Sequence, residues 1–127
     1  MTHPVQADAR NVGVIGLGAM GSGMATSLRR GGHAVHVCDA RAGVATTFAL
    51  DGGVACAMPA EVGRHCRVVV SVVVNAAQTE AILFGPEGVA TAMAPGSVFV
   101  MCSTVDPSWS VAMEARLEAL EIGRAHV

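Results

Sequence analysis

Val12-Gly13-Val14-Ile15-Gly16-Leu17-Gly18-Ala19-Met20-Gly21 is the stretch that decides the fold. A short β-branched run enters a G-x-G-x-x-G. Beyond it Met20, Met24 and Leu28 recur every fourth residue, the period of a helix face. Arg29 and Arg30 suit the negative end of that helix, and Gly31-Gly32 stops it. The pattern then repeats along the chain. Ala34–Cys38 reads as a second strand, and a helix with Val44 and Phe48 on one face follows. Val54–Cys56 is a weak third strand, and Pro59 opens a short helix. The run from Val68 to Val74 is apolar nearly throughout, as in a parallel strand covered on both faces. A helix to Phe84, a Gly85-Pro86-Glu87-Gly88 turn and a strand at Val98–Cys102 come next. Asp106 is the expected N-cap of a last helix with Pro107 at its first position and Met113, Leu117 and Leu120 inward. Such alternation implies an α/β fold, a Rossmann-type doubly wound parallel sheet. The expected domain covers residues 12–120, after a polar N-terminal tail at 1–11.

Composition narrows the function. Of 127 residues, 52% are hydrophobic and 14% charged, which excludes a disordered chain. Aromatics are 3%, there is no Tyr, and the net charge is −2. Neither a base-stacking surface nor a basic patch is available, so no nucleic-acid partner is expected. The Val68–Val74 run is far below the roughly 20 residues of a spanning helix, so no membrane partner is expected either. The N-terminus lacks the pattern of a signal peptide. Cys38, Cys56, Cys66 and Cys102 form no C-x-x-C pair and no zinc spacing. No metal is expected, and the cysteines read as reduced thiols of a cytoplasmic protein.

The glycine motif carries the chemistry. Gly16 permits a tight turn, Gly18 lets the backbone approach a pyrophosphate, and Gly21 lets helix and strand pack closely. The helix that starts at Ala19 and Met20 offers N–H groups and partial positive charge to phosphates. Asp39, 18 residues past Gly21 at the end of the second strand, is placed to accept hydrogen bonds from ribose hydroxyls and to repel a 2′-phosphate. NAD is therefore the expected cofactor and NADP the less favoured one, although Arg41 could hold a 2′-phosphate. His33 and His36 read as structural, with no nucleophile or acid to pair with. Met20 and Met24 read as core, and Asp106 as a cap rather than a partner of Ser103.

Val14–Ala25, Gly32-His33-Ala34-Val35 and Cys102–Pro107 together resemble the β-hydroxyacid dehydrogenase family. Within it, Val73-Val74-Asn75-Ala76-Ala77-Gln78 followed by Leu83-Phe84-Gly85 is similar to the L-threonate enzymes. The resemblance implies an oxidoreductase that moves a hydride between a nicotinamide and a small hydroxy acid, and that is homo-oligomeric when complete. Tartronate semialdehyde and 3-hydroxyisobutyrate are alternative substrates, and a non-catalytic dinucleotide sensor is the rival reading. The cofactor-binding residues it implies are Gly16, Leu17, Gly18, Ala19, Met20, Gly21, Asp39, Val73, Val74, Asn75, Gln78 and Thr104. Gln78 stands where some relatives carry a cofactor-contacting Asn. The family's catalytic Lys has no counterpart, because all eight cationic residues are Arg. By the resemblance the next strand should begin where this sequence stops, at Val127, so the sheet is expected to stop before its last strands and before the family's all-helical second domain. Residues 121–127 resemble a translated sequencing adapter and are expected to be a non-native tail.

Overall fold

The computed structural model describes residues 8–102 and 106–126. Its elements run β1 Asp8–Ile15, α1 Ala19–Arg30, β2 Ala34–Cys38, α2 Val44–Ala49, β3 Val54–Ala55, α3 Pro59–His65, β4 Cys66–Ser71, α4 Ala76–Phe84, β5 Val98–Met101, α5 Pro107–Glu118 and β6 Gly123–His126. All strands are parallel, in the order β3-β2-β1-β4-β5-β6. The chain winds outward one way from β1, then crosses to β4 and winds the other way. The crevice between the carboxyl ends of β1 and β4 is where such a sheet receives ligands.

Alternation along the central strands splits the core in two. Val14, Leu17, Ala25, Val35, Val37 and Ala45 pack on one face, under α1 and α2. Ile15, Val62, Val69, Leu83, Phe99, Met101 and Leu117 pack on the other, under α3, α4 and α5. Arg29 ties the first pair of helices together. Its guanidinium lies 4.7 Å from the Phe48 ring centroid and donates to the carbonyl oxygens of Phe48 and Gly52, at the end of α2. The last helix starts as its sequence dictates, with the Asp106 carboxylate accepting from the Ser108 N–H and Pro107 at the first position. Among the described residues no helix is long and apolar enough to cross a membrane.

Four expectations need correction. The first strand begins at Asp8, inside the stretch read as a tail, where the Asn11 side chain donates to the His65 carbonyl. The polar letters of this extension hide it, since it is held by backbone pairing rather than by an apolar face. The fourth strand ends at Ser71, so Val72, Val73 and Val74 belong to the loop beyond it. Met20 is not core: it is 65% exposed, and Gly21 and Ala25 are the buried positions of α1. The close approach at Gly21 turns that face to the sheet and leaves Met20, one residue earlier, in solvent. Finally, the sheet does not stop at β5. Gly123–His126, within the expected tail, pairs with Val98–Met101, while Ile122 is buried and Arg124 bonds Glu114 and Ser110. The backbone groups of the β5 edge are taken up by the extended segment that follows α5.

Candidate functional site

The loop from β1 to α1 is shaped by its glycines. Gly16 sits at φ +98°, and its N–H donates to the Cys38 carbonyl across β2. A Cβ there would overlap the Val72 carbonyl oxygen. At Gly21 a Cβ would overlap the Gly16 carbonyl oxygen, so the helix can meet the strand only as glycine. At Gly18, the residue before α1, a Cβ would meet no atom within 4 Å. The backbone there borders open space. No side chain caps α1, whose basic residues Arg29 and Arg30 lie at its far end. Ala19 and Met20 are exposed in its first turn, where a helix has N–H groups and partial positive charge to offer. Leu17 is different. Its side chain is buried, its carbonyl accepts from the Ser22 hydroxyl, and its N–H is already used.

That N–H donates to Asp39. The Oδ2 atom of Asp39 lies 2.7 Å from the Leu17 nitrogen and 3.0 Å from Arg41 Nη2. Its Oδ1 atom accepts from the Arg41 backbone N–H and from Arg41 Nε, each at 2.9 Å. The Arg41 fork and the two backbone N–H groups hold the carboxyl down at about 2, against the opposing effect of burial. Asp39 thus stitches the end of β2 to the glycine loop. Its position is legible in the sequence, whereas its bond to Leu17 is not, because 22 residues separate the partners.

The β4 end closes the other side. Val72 donates to the Ile15 carbonyl, Val73 is half-buried and Val74 is 82% exposed. Asn75 caps α4 by accepting from the Gln78 N–H, while Gln78 Oε1 accepts from the Val74 N–H at 2.8 Å. The two amide oxygens are therefore spent on holding this turn. Thr104 lies outside the described residues.

These parts fit a dinucleotide: a bare backbone at Gly18, an uncapped 12-residue helix start and a fixed carboxylate at the β2 end. A cleft of about 410 Å³ lined by Leu17, Ser22, Ala42, Gly43, Val44, Thr47 and Phe48 adjoins them. A second cleft, of about 530 Å³, lies between α3 and the α4–β5 connection and has no such loop. The rings of His36 and His65 stack with centroids 5.5 Å apart, and His33 Nδ1 lies 3.3 Å from the Arg10 carbonyl oxygen. All four cysteines are free, and burial pushes Cys38 and Cys56 up to about 11 and Cys66 to about 12. Among the described residues no group of His, Cys, Asp and Glu could hold a metal ion.

Residues 11–125 match the family model of the NAD binding domain of 6-phosphogluconate dehydrogenase. The chain is 55% identical over 109 residues to L-threonate dehydrogenase of Cupriavidus necator, covering 86% of the chain and 37% of that enzyme. It is 36% identical over 98 residues to the cytokine-like nuclear factor N-PAC of Danio rerio, covering 77% of the chain and 21% of that protein. Among solved structures, 3-hydroxyisobutyrate dehydrogenase from Salmonella typhimurium superposes with a TM-score of 0.85 at 34% identity, over 92% of the chain and 40% of that structure. The chain thus spans about two fifths or less of the relatives it matches.

Proposed function

We propose a function from the premise that the chain belongs to the β-hydroxyacid dehydrogenase family, of which it carries the NAD-binding domain: it serves as the cofactor-holding part of an oxidoreductase acting on a small hydroxy acid, with L-threonate the favoured substrate. The observation that carries this reading is the glycine loop itself, with Gly18 bordering open space and Asp39 locked beside the loop. The share of its residues is binding and orientation. The first turn of α1 receives the pyrophosphate, and Asp39 receives the adenosine ribose. Val73 and Val74, with the turn that Asn75 and Gln78 hold, border the path toward the β4 end. Bound nicotinamide supplies the hydride acceptor. The general acid–base group comes from outside this chain, which has no Lys. The preference for L-threonate rests on the 55% identity to that enzyme.

The test is a chimera in which residues 11–125 replace the matching domain of the Cupriavidus enzyme. NADH formation with L-threonate, exceeding that with 3-hydroxyisobutyrate and with glycerate, which yields tartronate semialdehyde, is the expected result. A folded chimera that binds NAD but forms no NADH would refute it. That outcome would favour a dinucleotide-sensing module, the second reading, for which the likeness to a protein named as a nuclear factor speaks.

A further inference from the structure

The carboxylate of Asp39 is full. It accepts from four donors, Leu17 N–H and Arg41 Nη2 on one oxygen and Arg41 N–H and Nε on the other. A carboxylate has about four lone-pair positions, so none is left for a ligand. Two of the donors are backbone groups fixed by the fold. The other two are the Arg41 fork, one on each oxygen. Its side chain is 63% exposed while that of Asp39 is 7% exposed. Ala40, Ala42 and Gly43 around it are exposed as well.

We infer that Arg41 is an internal competitor for the ribose site and sets the choice between the two dinucleotides. The inference rests on the proposed dinucleotide site. Two vicinal ribose hydroxyls need one acceptor position on each carboxylate oxygen, and these are the positions the fork fills. NAD therefore binds only as Arg41 swings out, and among the described residues the displaced guanidinium has no second ion-pair partner. A 2′-phosphate supplies that partner. The same side chain thus taxes the diol and rewards the phosphate, opposing the repulsion that Asp39 exerts on a phosphate. The outcome is a chain that accepts both dinucleotides with a narrow preference.

Calorimetric titration of the 127-residue chain with NAD and with NADP tests this, comparing parent, Arg41→Ala and Arg41→Lys. Removing an exposed competitor pair should tighten NAD by about two- to fivefold in Arg41→Ala. NADP should weaken by about tenfold or more, as charge-assisted bonds to the phosphate are lost. Lysine keeps the charge without the fork, so Arg41→Lys should tighten NAD while holding NADP within about threefold of the parent. Parent binding of NAD with both affinities unchanged in Arg41→Ala, or weakened alike, overturns the competitor role and leaves the dinucleotide site standing. A natively folded parent that binds neither dinucleotide overturns the site, and this inference with it.

Discussion

Replacing Gly21 by Ala should damage the fold and the site together. The added Cβ would overlap the Gly16 carbonyl oxygen and stand 2.9 Å from its carbon. Ordinary contact begins at 3.4 Å, so the start of α1 must retreat by more than the half ångström between those values. Both partners are backbone, in a loop further pinned by Gly16 N–H on Cys38 and Leu17 N–H on Asp39. No flexible side chain can absorb the clash. Overpacking of this kind costs about 3 kcal/mol, the upper end of the usual range. Against it stands the gain of about 1 kcal/mol from Gly to Ala in a helix. The net loss of about 2 kcal/mol is a large part of a small domain's stability. Urea unfolding followed by far-ultraviolet circular dichroism measures it. Gly23→Ala is the control: it lies in the same helix, its Cβ would meet nothing within 4 Å, and it should gain up to about 1 kcal/mol. If Gly21→Ala matched Gly23→Ala in sign, or lost under 0.5 kcal/mol, the argument that glycine is needed for close approach would be wrong.

Gly18→Val should leave the urea midpoint nearly unchanged, since its side chain enters open space, and abolish NAD binding by calorimetry; retained affinity would make the loop a mere turn. Asp39→Ala should weaken NAD by about tenfold or more, as charged hydrogen bonds are worth about 1.5–3 kcal/mol each, and narrow the gap to NADP; unchanged dissociation constants for both would remove its role. Burial, and next the neighbouring His65, lower the His36 pKa. The unfolded chain then binds the extra proton, so stability holds above about pH 6.5 and falls as the pH drops below it. His36→Phe should flatten that slope, and an unchanged slope in acid unfolding would assign it elsewhere. The 127-residue chain alone should produce no NADH from L-threonate, because the proposed acid–base group comes from outside it. Turnover proportional to protein and lost in Gly18→Val would show otherwise.

The sequence is most readable where glycine and proline do the talking. Gly16, Gly18 and Gly21 announce a turn whose backbone has few alternatives, and Asp106-Pro107 announces a helix start. Spacing alone fails where two faces share a period. Met20-Met24-Leu28 and Gly21-Ala25-Leu28 are equally helical, and only the tertiary contact at Gly21 selects the second. Backbone pairing leaves no side-chain signature either, so Asp8–Asn11 and Gly123–His126 read as tails while the sheet takes them as strands. Asp39 is visible as an acid at the right distance. Its saturation by Leu17 and Arg41 is a property of the folded loop alone.

The central claim, that a dinucleotide lies across the carboxyl ends of β1, β2 and β4, can be read amide by amide. Two-dimensional ¹H–¹⁵N spectra of the chain titrated with NAD should shift Gly18, Ala19, Met20, Gly21, Asp39 and Val74, and leave Ala60–Arg64 and Gly85–Ala92 in place. Shifts confined to that second group, around the cleft between α3 and the α4–β5 connection, would contradict it.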